Sequence, residues 1–113
     1  MLRRSYVMEM EDKMYTEQEL VDKLTPIFKL YPIKRAALFG SYSRGEQTEG
    51  SDIDVLLEFD ESADLVRVFY GFWDDLESRM QMKVDLLTHG SLETAPKRFR
   101  ERILGELRYI YEA

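Results

Sequence analysis

The chain contains no cysteine and only one histidine, His89, among its 113 residues. The lack of cysteine excludes a disulfide framework and a thiolate zinc site, and one histidine cannot build a histidine-rich metal site. Any bound metal would therefore take oxygen ligands, which favours Mg²⁺, Mn²⁺ or Ca²⁺.

Basic residues are outnumbered, since 16 Lys and Arg stand against 22 Asp and Glu and give a net charge of −6. A general nucleic-acid binder normally has a basic footprint, so we expect no such function, although a locally basic nucleotide pocket is allowed. No apolar run approaches the ~18–20 residues of a transmembrane helix. Acidic residues follow Arg3 and Arg4 where an export signal would be apolar, so we expect a cytoplasmic protein that does not bind membranes.

The length and the apolar fraction of 44% predict one globular domain. We place it at residues 15–113, after a loosely ordered segment over 1–14. Thr16 and Glu19 form a capping box that opens a helix, with a kink expected at Pro26 and an end at Pro32. Further helices are predicted over 41–47, 64–80 and 96 to about 104 or 105.

Short apolar runs predict strands over 33–39, 53–59 and 82–87, and a short edge strand over 107–111. In the second strand, Ile53, Val55 and Leu57 should share one face, with Asp54 and Leu56 on the other. Residues 91–95 are predicted to form a loop or short turn. The element order is α-β-α-β-α-β-α, an α/β or α+β fold with one small sheet flanked by helices.

Two aspartates open the second strand. Asp52 and Asp54 are two positions apart, so their side chains lie on the same face with Cα atoms roughly 6.5–7 Å apart. Like charges held this close repel unless a cation neutralises them, and Mg²⁺ commonly takes one or two carboxylates plus substrate oxygens. Taken alone, the pair favours a simpler explanation, in which Asp52 caps the turn and Asp54 is solvated.

Asp85 is the one acid in the third apolar strand. A carboxylate in such a strand is costly without a partner, and metal coordination beside Asp52 and Asp54 would supply one. Asp85 could also accept a proton from an attacking hydroxyl. An ion pair with Lys83 or Arg35 explains the residue equally well.

The junction after the first strand has the features of a phosphate site. Gly40 lets a ligand approach the backbone, Ser41 can donate from its hydroxyl, and Arg44 can neutralise phosphate charge. An ordinary strand–turn–helix junction would show a similar Gly-Ser pair.

Together these segments resemble the signature of the DNA polymerase β-type nucleotidyltransferase superfamily, and more narrowly its minimal members, the MNT domains. The matching segments are Gly40-Ser41, Arg44-Gly45, Ser51-Asp52-Ile53-Asp54 and the later Asp85. Ser43 departs from the alanine of many relatives.

The resemblance implies a small mixed sheet and transfer of a nucleoside monophosphate from an NTP to a hydroxyl, with ATP as the expected donor. It also implies that Asp52 and Asp54 hold two Mg²⁺ ions, for which Mn²⁺ could substitute. Asp85 would hold the catalytic ion and help to activate the acceptor, while Gly40 and Ser41 would bind phosphates.

Minimal members of this family are commonly antitoxins paired with HEPN toxins, and some adenylylate a tyrosine of the toxin. The resemblance therefore implies a partner protein as acceptor. Two alternatives stay open: a non-catalytic, nucleotide-binding antitoxin or assembly subunit that masks its partner, and transfer to a small molecule such as an aminoglycoside.

The 64–80 helix carries more apolar surface than one core face requires. We expect Tyr70, with Trp73 at its margin, to contact a HEPN-like partner or a second copy, unless residues 107–111 cover them. The other conspicuous side chains have ordinary interpretations: Trp73 as core, His89 as a loop residue, and Lys97, Arg98, Arg100 and Arg102 as a solvated helix face.

Overall fold

A computed structural model describes residues 14–61 and 64–113. The predicted loose segment at 1–14 therefore lies, except for Met14, outside the described residues. The helices are α1 (Glu17–Phe28), α2 (Gly40–Arg44), α3 (Leu65–Met80), α4 (His89–Glu93) and α5 (Lys97–Glu106), and the strands are β1 (Ile33–Phe39), β2 (Ile53–Phe59), β3 (Val84–Thr88) and β4 (Arg108–Glu112).

The strands form one mixed sheet in the order β3-β2-β1-β4. β1 is antiparallel to both β2 and β4, whereas β2 and β3 are parallel. The predicted small mixed sheet with flanking helices is confirmed, and so is the edge position of the last strand. In the described residues, no helix is long and apolar enough to span a membrane.

Alternation along β2 divides the core between the two faces of the sheet. Ile53, Val55 and Leu57 are buried in the larger cluster with residues of α1 and α3. Leu56 packs on the opposite face with Leu92 and Ile103 from α4 and α5. The predicted faces of this strand are therefore confirmed, and the helices form a layer on each side of the sheet.

Several predicted boundaries were wrong for local reasons. The capping box of Thr16 and Glu19 is present and Pro26 lies inside α1, as predicted, but the helix ends at Phe28, before Pro32. The predicted 41–47 helix stops at Arg44 because Gly45 adopts a left-handed conformation with φ of 69°.

The chain after β3 also differs from the prediction. The expected loop at His89 and 91–95 begins instead as the short helix α4, because Thr88 Oγ1 accepts a hydrogen bond from the Ser91 N–H at 3.1 Å and caps it. α5 continues to Glu106, beyond the predicted end at Leu104 or Gly105.

Candidate active site

The three predicted acids meet at one end of the sheet. Asp52 precedes β2, Asp54 lies within it, and Asp85 lies near the start of β3. Because the two strands run parallel, they both begin at the same end of the sheet. Their register places Asp54 directly beside Asp85. The pairing thus brings together carboxylates that are about thirty positions apart in the sequence.

The three carboxyl groups influence one another's ionisation. The pKa of Asp54 is raised to about 7, first by burial and then by the negative charges of Asp85 and Asp52, against a smaller opposing effect of Arg44. The pKa of Asp52 is also raised, by burial and by Asp85, although Lys83 opposes the shift. The acids therefore repel one another in their ionised forms, and a bound cation would relieve that repulsion.

The free-energy cost expected for burying the Asp85 carboxylate in an apolar strand does not arise. β3 is an edge strand, and the side chain of Asp85 is exposed. One of its alternative partners, Arg35, bonds instead to Glu58, with an Nε–Oε1 distance of 2.9 Å. What distinguishes Asp85 is its position beside Asp54 rather than its burial.

Gly40 is required by both its conformation and its surroundings. Its φ is +73°, a left-handed conformation that favours glycine. A Cβ atom at this position would lie 3.0 Å from the Asp54 carboxyl carbon and would collide with Oδ2. The end of β1 therefore has room for the Asp54 carboxylate only because residue 40 has no side chain.

All six predicted site residues line one cleft of about 390 Å³: Gly40, Ser41, Arg44, Asp52, Asp54 and Asp85. Sequence interpretation missed two further lining residues on α5, Arg102 and Glu106. Arg102 is exposed, as expected of a solvated helix face, but it borders the cleft. Glu106 accepts a hydrogen bond from the Gly40 N–H at 3.0 Å across 66 positions, and no local pattern in the sequence could reveal that contact.

The donor set of the cleft fits a hard cation. Its acidic side chains offer carboxylate oxygens, which Mg²⁺ and Mn²⁺ prefer. Within residues 14–61 and 64–113, no group of three or more Asp, Glu or His side chains could hold a metal ion. Mg²⁺ usually takes only one or two carboxylates and completes its coordination shell with water and substrate oxygens. The raised carboxyl pKa values and the space left by Gly40 fit an ion that is bound together with a phosphate chain.

Two side chains of α3 hold β3 in place next to Asp85. The Trp73 Nε1–H donates to the Val84 carbonyl oxygen at 2.6 Å, and the Val84 N–H donates to Glu77 Oε2 at 2.9 Å. Glu77 is only 1% exposed. Trp73 is partly buried against the core, as predicted, but its indole N–H also fixes the residue that precedes the third acid.

His89 takes no part in this cleft. It follows the opposite end of β3 and pairs with Glu93 at an Nδ1–Oε1 distance of 3.5 Å. It lines a separate cavity of about 250 Å³ with the end of β2.

A family model described as "Nucleotidyltransferase domain" matches residues 21–110. The chain belongs to the nucleotidyltransferase domain family. The resemblance predicted from the sequence is therefore confirmed, and the protein is a nucleotidyltransferase. The match runs from within α1 to within β4 and includes the whole cleft.

Individual relatives agree with this assignment. A candidate protein adenylyltransferase of Methanocaldococcus jannaschii is 44% identical to this nucleotidyltransferase over 91 residues, which cover 78% of this chain and 90% of the relative. A solved structure described as a candidate minimal nucleotidyltransferase is 28% identical, with a TM-score of 0.63, and the match covers 84% of this chain and 95% of that one.

A third relative shares the fold. It is the solved structure of a tri-AMPylated Shewanella oneidensis HEPN toxin in complex with an MNT antitoxin. The matched chain is 18% identical, with a TM-score of 0.59, over 85% of this nucleotidyltransferase and 72% of that chain.

Proposed function

We propose that this nucleotidyltransferase transfers AMP from ATP to a hydroxyl group of a HEPN-like partner protein, as the antitoxin of a toxin–antitoxin pair. The observation that carries the proposal is the meeting of Asp52, Asp54 and Asp85 beside the space left by Gly40. The names of the relatives, protein adenylyltransferase and MNT antitoxin with an AMPylated toxin, support the donor and the acceptor.

The residues have distinct roles in the proposed reaction. Gly40 leaves room for the phosphate chain, and Ser41 offers its hydroxyl as a donor. Asp52, Asp54 and Asp85 would hold Mg²⁺, which when bound supplies charge neutralisation for the triphosphate. The acceptor oxygen attacks the α-phosphorus, the bond from that phosphorus to the bridging oxygen breaks, and pyrophosphate leaves. Asp85 accepts the proton of the attacking hydroxyl.

The exposure of Asp85 favours an acceptor on another protein. The acid that takes the proton lies on the edge strand and faces solvent, so a side chain of a partner can reach it. An open position of this kind suits a reaction in which the acceptor is brought by a second chain rather than enclosed by the first.

The partner surface in this proposal is the exposed apolar part of α3. Tyr70 is 62% exposed and Val66 is 81% exposed, and the Tyr70 ring stacks on Trp73 with centroids 6.4 Å apart. The expected alternative, that residues 107–111 cover Tyr70, is wrong: β4 pairs with β1 on the far edge of the sheet, and Tyr111 packs on Phe28.

This surface and the candidate active site flank the same strand. Trp73 bonds to Val84, whose neighbour in the chain is Asp85. Val66 and Tyr70 themselves lie towards the end of that strand, where they line a cavity with Thr88 and Ser91. A partner seated on Tyr70 would therefore extend along β3 to reach the proposed proton acceptor.

The test is incubation of the purified chain with ATP, Mg²⁺ and the product of a neighbouring HEPN-like gene, followed by intact mass spectrometry of both chains. We expect an AMP adduct on the partner with the wild-type chain and none with Asp54→Asn. A stable complex without an adduct would favour masking of the partner. In a parallel incubation with an aminoglycoside, an adduct on that compound alone would favour small-molecule transfer.

A further inference from the structure

The two arginines that border the cleft differ in their partners. Arg44 Nε lies 2.9 Å from Glu46 Oε1, and its Nη1 lies 3.0 Å from Glu106 Oε2. Its positive charge is therefore already compensated by two carboxylates of the same chain.

Arg102 lies on α5, one helical turn before Glu106, and lines the same cleft. Its guanidinium carbon is 5.4 Å from the centre of the Phe99 ring, and it forms no ion pair with any residue of the described part of the chain. An arginine with an uncompensated charge at the border of a cleft is available to an anionic ligand.

Glu106 joins Arg44 to the turn at Gly40. Its two carboxylate oxygens receive the Gly40 N–H and the Arg44 guanidinium, and its side chain is only 14% exposed. Removal of Arg44 alone would leave a mostly buried carboxylate without its cation, which is costlier than removal of both partners together. The three residues thus form one bonded unit behind the turn.

We propose that Arg102 is the residue that binds the phosphate chain of the nucleotide, and that Arg44 and Glu106 are positioning residues for Gly40. The inference rests on the proposed function, because it assumes that a triphosphate enters this cleft. It assigns to Arg102 the phosphate contact that the sequence alone suggests for Arg44.

The first test measures binding by isothermal titration calorimetry with Mg²⁺ and α,β-methylene ATP, which cannot release pyrophosphate, and in parallel with Mg²⁺ and inorganic tripolyphosphate. Arg102→Gln should weaken both ligands about tenfold, as expected for a lost hydrogen bond between charged groups. Arg98→Gln is the matched control, because Arg98 is exposed one turn earlier on α5 and lies outside the cleft lining. It should change neither affinity by more than about twofold.

The second test separates positioning from direct contact. Arg44→Gln should weaken both ligands, and Glu106→Gln added to that variant should recover most of the loss, because the amide still accepts from Gly40 and no charge is left unpaired. If Arg44 touched the phosphates itself, the second substitution could not restore binding.

Three results would overturn the inference. One is an Arg102→Gln variant that binds both ligands like the wild type. Another is a loss of affinity confined to the nucleotide analogue, which would place Arg102 on the base or ribose. The third is an Arg44→Gln defect that Glu106→Gln does not repair. A wild-type chain that binds neither ligand would instead overturn the proposed function, and this inference with it.

Discussion

Asparagine in place of Asp54 should make the metal-free protein more stable while it removes the proposed activity. The ionised Asp54 carboxylate is partly buried and faces two other acids, so its pKa rises to about 7 from an ordinary value of 3.8. Asparagine has nearly the same shape and never ionises. The ionised carboxylate destabilises the folded state but not the unfolded chain, where it is solvated. The substitution should therefore raise the free energy of unfolding.

The size of the effect follows from that pKa shift. The difference between a pKa of about 7 in the folded protein and the ordinary value of 3.8 corresponds to about 4 kcal/mol, which is an upper limit. Asp54 keeps part of its surface in solvent, where repulsion is screened, so we expect a gain of about 1–2 kcal/mol in the free energy of unfolding. For a domain of this length, that gain raises the Tm by about 4–8 °C.

The gain must depend on pH in a defined direction. The unfolded carboxyl ionises near pH 3.8 and the folded one near pH 7, so the wild-type protein loses stability as the pH rises between these values. The advantage of Asp54→Asn should thus be complete at pH 8 and nearly absent at pH 4.

Thermal unfolding followed by circular dichroism, with a chelator present, measures this difference. Glu49→Gln is a suitable control because it removes one negative charge from an exposed turn, and its Tm should change little at either pH. An Asp54→Asn gain of equal size at pH 8 and pH 4, or no gain at pH 8, would refute the electrostatic reasoning.

Three further substitutions test the site and its surroundings. Gly40→Ala should abolish binding of Mg²⁺-ATP, measured by calorimetry, because its Cβ would occupy the space of the Asp54 carboxylate; unchanged affinity would place the nucleotide elsewhere. Trp73→Phe should lower kcat about tenfold with little change in the KM for ATP, because it removes the bond to Val84 beside Asp85 and keeps an aromatic ring; equal kcat values would show that β3 needs no such support. Tyr70→Glu should dissociate the partner complex in sedimentation while nucleotide binding is retained, and a complex of wild-type affinity would exclude this surface.

The parts of the fold that local physics determines were predictable. The capping side chain of Thr16 and the alternation of Ile53, Val55 and Leu57 each act within a few residues, so the sequence reveals them directly. The ends of α2 and α4 were harder, because one depends on the left-handed conformation of Gly45 and the other on the Thr88 hydroxyl, and both signals are short.

The site was predictable only in part, for a different reason. Gly40, Asp52 and Asp54 lie within one short stretch of sequence and could be interpreted together. Glu106 reaches Gly40 because α5 packs against the sheet, so nothing near residue 106 in the sequence marks it. Asp85 lies beside Asp54 as expected, but it is exposed rather than buried, because β3 is an edge strand and strand order is a property of the whole sheet.

The bonds from Trp73 and Glu77 to Val84 also protect part of an exposed sheet edge. An edge strand normally offers free N–H and C=O groups to any other strand it meets, and such pairing is a common start of aggregation. At Val84 both groups are already bonded to side chains of α3, so an approaching strand finds neither available. The edge strand can therefore leave Asp85 exposed while the backbone groups of the preceding residue are closed to accidental β-pairing.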